Sequence, residues 1–328
     1  MRIVFAITRA ASVDETWTTV HLARLALQRG HAVRFVEPWD FEIDTAGRIV
    51  ARAHAFDAPA SADDIATALM LRRADRRYVD IERTDLLLLR AAPLDVDVLT
   101  FAQLAKDRGV EVVNDPGGLV RVAHKGWLAS LPDVPTPPTV VTRSRSSAQL
   151  FYANQPYGVI VKPARGSGGR QVSRVPPFAG ALLDEAFDLA RLATDGYVVV
   201  QSYVEDADLG EKRLVWLDGV IVGGYLRRRA PGEFRHNLKR GGHAEPTEIT
   251  GTDRQIGRSL SPHLLAAGVR LAGLDVIGST VIEVNALNPG GAYHADRLCG
   301  ASVGEQILDR LTSRVEAVVP HLHVAPAP

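Results

Sequence analysis

The segment Gly273 to Asn285, GLDVIGSTVIEVN, carries two acids and an amide at spacings that matter. In an alternating strand Glu283 and Asn285 point to one face, while their apolar neighbours bury the other. If Gly278, Ser279 and Thr280 form a three-residue loop, Asp275 falls directly across from Glu283. Two carboxylates and an amide gathered this way are costly to bury unless a cation compensates them. Mg2+ prefers such hard oxygen ligands, shared with nucleotide phosphates. The same residues also fit an ordinary hairpin with acids on its solvent face.

A second set lies upstream. The run Val159-Ile160-Val161-Lys162-Pro163 leads into Ala164-Arg165-Gly166-Ser167-Gly168-Gly169. Glycines let backbone N–H groups close around phosphate oxygens, and Lys162 offers a point charge to the same anion. The order is not that of a Walker A loop, and a glycine turn joining two strands needs no ligand. At Gln201-Ser202-Tyr203-Val204 a strand ends, and its freed backbone groups suit the edge of an adenine, with Glu211 placed for a ribose. A plain strand terminus explains Gln201 and Tyr203 equally well, and Lys212-Arg213 fits a solvated face. The stretch 227–243 (RRRAPGEFRHNLKRGGH) concentrates Arg227, Arg228, Arg229, Arg235, Lys239 and Arg240. Such a loop can clamp phosphates or a carboxylate through bidentate pairs and close over a reaction that must exclude water. With only Tyr225 and Phe234 nearby for stacking and no RNA motif, a nucleic-acid surface is disfavoured.

Composition narrows the field. Lys and Arg together number 38, equal to Asp and Glu, so no global field draws the chain to nucleic acid or an anionic membrane. Only five of those cations are lysines (Lys106, Lys125, Lys162, Lys212 and Lys239), which fits either a need for a compact ammonium where one is kept or five chance survivals. One cysteine, Cys299, cannot form an intrachain disulfide. The start MRIVFAITRA is unlike a signal peptide, and no apolar run approaches the roughly 20 residues needed to span a bilayer. A cytoplasmic location is the expectation.

These residues need elements to position them. Apolar periodicity predicts strands at Arg2–Ile7, Ala32–Glu37, Asp85–Arg90 and Val110–Asn114, with helices at Trp17–Gln28 and Val96–Lys106 between them. Strands alternating with helices imply a parallel sheet. A proline-rich linker at Pro132–Thr139 follows, then strands at Gly158–Lys162, Gln171–Val175 and Tyr197–Val204 and a helix at Gly180–Ala193. A hairpin turns at Asp218-Gly219, residues 227–243 read as a surface loop, and a helix at Asp253–Ala267 precedes strands Leu274–Ile277 and Val281–Asn285 and a helix Val303–Val315.

Taken in this order the elements resemble the bacterial glutathione synthetase branch of the ATP-grasp superfamily, from Met1 to about Leu311. The closest stretches are Val159–Gly169, Val200–Gly219, Gly232–Gly242 and Gly273–Asn285. The resemblance implies an α/β fold of three parts: a Rossmann-like parallel-sheet domain at 1–118, a central lid at 119–200 and a catalytic domain at 201–328. It implies that Lys125 and Lys162 hold ATP phosphates, that Gly166, Ser167, Gly168 and Gly169 form the lid's phosphate loop, and that Gln201, Tyr203, Val204 and Glu211 surround adenosine. Asp275, Glu283 and Asn285 match the family's magnesium ligands, two Mg2+ being expected and Mn2+ an alternative. Arg213, Arg227 and Arg235 match basic positions around the transferred groups.

The implied activity is ATP-dependent joining of a carboxylate to an amine through an acyl phosphate, on a small amino acid or peptide-like substrate, by a homodimer or homotetramer. Departures gather where substrate belongs. After Asn285 the chain reads ALNPGGAYHAD instead of the family's Thr-Ser-Pro-Thr type segment, and Arg90 keeps the family's arginine without the charged residues that follow it. Arg90, Asn237, Gly290, Gly291 and His294 are the candidate substrate contacts, with Tyr293 beside them. Alternatives are glutathione synthetase itself, an intramolecular ring-closing ligase like the enzyme that makes D-cycloserine, and an ATP-binding regulator without turnover.

Overall fold

The computed structural model describes residues 1–166, 168–193 and 196–318. The chain forms two compact units, Met1–Gly117 together with the segment from Leu287, and Gly118–Ala286. In chain order the first begins with β1 (Arg2–Ile7), α1 (Thr18–Gln28), β2 (Ala32–Val36), β3 (Phe41–Ile43), β4 (Ile49–Phe56), α2 (Ala62–Met70), β5 (Asp75–Asp80), β6 (Leu86–Arg90), α3 (Val96–Asp107) and β7 (Glu111–Val113). The apolar runs of β1 and β6 are buried along their lengths because each lies between parallel neighbours, in the order β2-β1-β6-β7.

The expected all-parallel sheet is extended by β3, β4 and β5, which pair antiparallel beyond β2. Their sequences hide this. In β4, IVARAHAF, arginine and histidine interrupt the apolar alternation, and β5, DRRYVD, presents mostly polar side chains. Pairing with a neighbour, not local apolarity, makes them strands.

The second unit runs through α4 (Pro116–Val122), α5 (Gly126–Ala129), β8 (Thr139–Thr142), α6 (Arg145–Tyr152), β9 (Val159–Pro163), β10 (Ser173–Val175), α7 (Gly180–Leu192) and β11 (Val198–Ser202). It continues with β12 (Glu211–Leu217), β13 (Val220–Arg228), β14 (His243–Glu245), α8 (Gly251–Ala266), β15 (Leu271–Ile277) and β16 (Thr280–Asn285). Two sheets result. One, ordered β10-β9-β11-β8, lays Val159, Val161, Val198 and Val200 against Leu183, Phe187 and Ala190 of α7. Period-two alternation therefore sends Ile160 and Lys162 to the opposite face. The other is ordered β14-β13-β12-β15-β16 and carries α8 against β13.

Two turns set the register of this second sheet. Asp218 and Gly219 both take positive φ, 44° and 99°, as a two-residue hairpin with matched twist requires, and Arg270 donates to the Asp218 carboxylate at 2.7 Å. Between β15 and β16 the turn is Gly278-Ser279, not three residues, because Thr280 already pairs with Ile277. A bulge then restores the facing of Asp275 with Glu283: Val276 pairs with Val281, and the ladder skips Ile282.

The basic stretch 227–243 is only partly a loop. Arg227 and Arg228 close β13, with Arg227 facing Glu211 across the ladder, and His243 opens β14. Beyond Ala286 the chain returns to the first unit, where α9 (Ala292–Cys299) and α10 (Val303–Val318) pack on α1 and bury Ala295, Ile307, Leu308 and Leu311. This segment thus groups with the N-terminal sheet instead of extending the sheet of β12 to β16.

Trp216 anchors β12 beneath α8, fully buried, its indole N–H donating to Gly257 O at 3.2 Å. Trp216→Ala should lower the free energy of unfolding by about 3–5 kcal/mol, read from urea denaturation.

Candidate active site

The second unit contains an open cleft. Its lining includes Lys162, Gly168, Gly169, Gln201, Tyr203, Val204, Glu211, Arg213, Arg227, Arg235, Asn237, Asp275, Glu283 and Asn285. Most residues singled out by their spacing are therefore neighbours in space. Ser167 lies outside the described residues.

Lys162 sits on the cleft face of β9 and is 5% exposed. Its Nζ donates to Gln201 Oε1 at 3.0 Å and to the carbonyl of Ile282 at 3.3 Å. That carbonyl belongs to the residue the bulge leaves out of the ladder. Both partners are neutral. Burial pulls the ammonium below the ordinary lysine value, Lys125 acts in the same direction, and Glu283 opposes them. Lys125 stands nearby, with Nζ bonded to Gly166 O at 3.0 Å and 3.9 Å from Glu283 Oε1. Two ammonium groups converging beside a glycine turn define a place for a polyanion.

Asp275 is the hub of the opposite wall. Arg213 grips it in a bidentate pair at 2.6 and 2.9 Å, Arg227 approaches at 3.3 Å, and Asn285 donates its amide N–H at 2.9 Å. Burial alone would raise this carboxyl, but Arg213 and Arg227 hold it below the ordinary aspartate value. Arg227 also donates to Glu211 Oε1 at 2.7 Å. Burial works against its charge, yet Asp275, Tyr225 and Glu211 together keep its guanidinium above the usual arginine range. Glu211 responds in the other direction: burial, and then the Asp275 carboxylate, push it up to about 7 against the pull of Arg227 and Arg213.

Arg235 closes the third side. It makes a bidentate pair with Glu233 at 2.9 and 2.7 Å and donates to Gly169 O at 2.9 Å, tying the basic segment to the glycine turn. Arg235 and adjacent backbone N–H groups hold Glu233 down to about 2. Asn237 accepts from Lys239 N at 2.9 Å and so shapes the turn that follows.

Asp275 and Glu283, facing each other on β15 and β16, with Asn285 one pleat further, offer hard oxygen ligands of the kind a divalent cation takes. Among the described residues no cluster of three or more His, Cys, Asp or Glu could hold a metal unaided. Two carboxylates and an amide suit Mg2+, which keeps positions for water and substrate phosphate and is rarely caged by protein alone. The donor set fits.

The sequence reading missed part of the lining. Ile160, Val172, Ile277 and Ile282 give the cleft apolar walls, suited to the flat faces of a base. Ile160 was recoverable, since it alternates with Lys162 on β9. His236 also lines the cleft and had no signal beyond its place in the basic segment.

Arg90, Gly290, Gly291 and His294 belong to the first unit. Arg90 ends β6 buried, donating to Thr19 Oγ1 at 3.0 Å and Pro289 O at 2.9 Å, while its Nη1 is buried without a hydrogen-bond partner. Gly291 N bonds Thr18 Oγ1 at 3.0 Å, which ties the Gly290-Gly291 turn to the start of α1. His294 packs edge-on against Tyr293 at 5.3 Å, and His21, which also meets Tyr293, bonds Asp296 at 2.7 Å.

The family that the sequence matches makes the chain an ATP-grasp ligase, an enzyme that uses ATP to join carbon to nitrogen. Residues 125–300 match the family described as prokaryotic glutathione synthetase, ATP-grasp domain, and residues 1–120 match its N-terminal domain. The chain belongs to the prokaryotic glutathione synthetase family, and with that membership comes use of ATP and a divalent cation. It is 34% identical over 223 residues to a glutathione synthetase of Parasynechococcus marenigrum strain WH8102, covering 65% of this chain and 68% of that one. With the glutathione synthetase of Xanthomonas campestris pv. campestris it shares 30% over 301 residues, 90% and 92% of the two chains. The fold is similar to that of D-cycloserine synthetase DcsG, with a TM-score of 0.65 at 19% identity over 94% of this chain and 99% of that one. It is also similar to the VanG D-Ala:D-Ser ligase of Enterococcus faecalis, with a TM-score of 0.66 at 15% identity over 96% and 99%. No helix among the described residues is long and apolar enough to cross a membrane.

Because Glu211 takes up its proton more readily in the folded chain, its contribution to stability is fully present below about pH 4.5 and is lost as the pH rises through about 7. Across that window the unfolding free energy should fall by about 2–3 kcal/mol more in the unsubstituted chain than in Glu211→Gln, measured by urea denaturation at a series of pH values.

Proposed function

We propose that the cleft binds Mg-ATP and that the chain activates the carboxylate of a small amino acid or peptide-like substrate as an acyl phosphate, which an amine then converts to an amide. The observation that carries this is Lys162: a buried ammonium whose two hydrogen-bond partners are neutral, beside Lys125 and a glycine turn. Phosphate oxygens supply the missing negative charge. In this reading the sheet of β8 to β11, which runs two residues past the expected boundary at 200, is the lid, and the sheet of β12 to β16 is the catalytic half. Ile160, Val172, Ile277 and Ile282 hold the base, with Gln201, Tyr203 and Val204 at its edge and Glu211 at the ribose.

The chemistry is balanced without an acid or base of unusual strength. A carboxylate oxygen attacks the terminal phosphorus, and the bond to the bridging oxygen breaks to release ADP. The amine nitrogen then attacks the acyl carbon, phosphate leaves, and the nitrogen gives up a proton. Two Mg2+ ions, or Mn2+, would be held by Asp275, Glu283 and Asn285 and would screen the phosphate charge. Lys162, Arg213 and Arg227 place fixed positive charge on the cleft wall, where it is effective because burial has already removed water, and Lys125 stands beside Glu283. Arg235 holds the basic segment over the glycine turn, excluding water from a hydrolysable intermediate. Arg90, Asn237, Gly290, Gly291 and His294 are assigned to the carboxylate and amine substrates.

ADP release with Mg-ATP and hydroxylamine, across amino acids, dipeptides and O-substituted serines, tests the reading. A hydroxamate that depends on one carboxylate is the expected product and names the donor. A product equal to substrate minus water, in the absence of any amine, would instead identify ring closure. Lys162→Met and Glu283→Gln should each lower substrate-dependent ADP formation about 100-fold or more, and unchanged turnover in both would refute the assignment.

A further inference from the structure

His236 lies on the cleft wall, in the segment between β13 and β14. It is 4% exposed, and its Nε2 is buried with no hydrogen-bond partner. Its Nδ1 is 3.9 Å from Glu211 Oε2, beyond hydrogen-bond reach. The other oxygen of Glu211 is taken by Arg227. The imidazole and one carboxylate oxygen thus stand side by side, each with unused hydrogen-bonding capacity. An orphaned buried ring nitrogen of this kind calls for a partner.

The chemistry of the pair limits what that partner is. Burial holds the imidazole below its ordinary value, against a pull the other way from the backbone of Ala207, and a neutral ring offers one donor and one acceptor. A hydroxyl both donates and accepts, and satisfies the ring in either tautomer. A phosphate oxygen brings no proton and satisfies the ring only in the tautomer that turns its N–H to the cleft. Two adjacent hydroxyls, as on a ribose, answer both side chains at once.

We propose that His236 binds ribose beside Glu211, the two forming a clamp for vicinal hydroxyls that makes the cleft select ribonucleotides over deoxyribonucleotides. The assignment rests on the nucleotide reading above and adds a specificity residue to it. Each side chain holds one hydroxyl, so loss of the imidazole removes discrimination at one sugar position and spares the other.

Calorimetric titration of the full chain with Mg-ATP, 2′-deoxy-ATP and 3′-deoxy-ATP is the test. The unsubstituted chain is expected to bind ATP about tenfold more tightly than either deoxy analogue. His236→Phe, which keeps ring volume, should lose that factor of about ten for one analogue and keep it for the other, while His236→Gln, which retains a donor and an acceptor, should restore part of it. His236→Ala serves the same comparison if the phenylalanine variant does not fold. Unaltered preference for ATP over both analogues in the variants overturns the role of His236 and leaves the nucleotide reading standing. Failure of the unsubstituted chain to bind Mg-ATP overturns both.

Discussion

Asp275 is the constraint on which the cleft depends. One buried carboxylate receives Arg213 through a two-point grip, Arg227 through Nη1 and Asn285 through its amide, so three strands are oriented by a single residue. Removing Asp275 would take the carboxylate from Arg213 while Arg227 keeps Glu211, and removing both arginines would leave Asp275 buried without a counter-ion, an outcome costing several kcal/mol. The arginines consequently cannot swing to solvent. Their positions are fixed before any ligand arrives, which is what electrostatic stabilisation of a developing charge requires.

The opposite wall follows a different rule. Lys162 is held by a side-chain amide and a backbone carbonyl, neither of which neutralises it. The carbonyl is available because the bulge between β15 and β16 drops Ile282 out of the ladder. One irregularity therefore does two things. It brings Glu283 opposite Asp275 across a two-residue turn, and it turns a peptide oxygen toward the lysine from the other sheet. The cleft is thereby polarised, with charge already balanced around Asp275 and left open to an anion at Lys162.

Much of this could be read from sequence where the signal is local. Alternation in VIVKP places Lys162 opposite the valines that bury against α7, and the spacing of Asp275 and Glu283 anticipates their facing each other. What sequence could not show were interactions set by distant pairing. The basic stretch from Arg227 reads as a loop because its composition is polar, yet Arg227 belongs to a strand whose partner is Glu211. The three-residue turn was the expectation because the counting rule assumes a regular ladder, and a bulge breaks that assumption. The strands β3, β4 and β5 escaped notice because their apolar alternation is broken or absent, and His236 because burial of a single histidine follows from tertiary contacts alone.

The distribution of these features explains why the nucleotide chemistry is more legible than the substrate. On the proposed reading, the groups assigned to phosphates, ribose and a divalent cation sit at alternating positions on strands, where local sequence shows which face each takes. The candidate substrate contacts depend instead on how the segment after Asn285 folds back: Gly291 is fastened to Thr18, and Arg90 to Thr19 and Pro289, all within the first unit. A turn of Pro-Gly-Gly has little side-chain surface with which to specify a ligand, so shape there is set by the helix start and the buried guanidinium around it. The Nη1 of Arg90 is a buried donor with no partner and so carries a standing desolvation cost. On the proposed reading, selectivity for one carboxylate over another falls to the few side chains around that turn, Tyr293 and His294 among them.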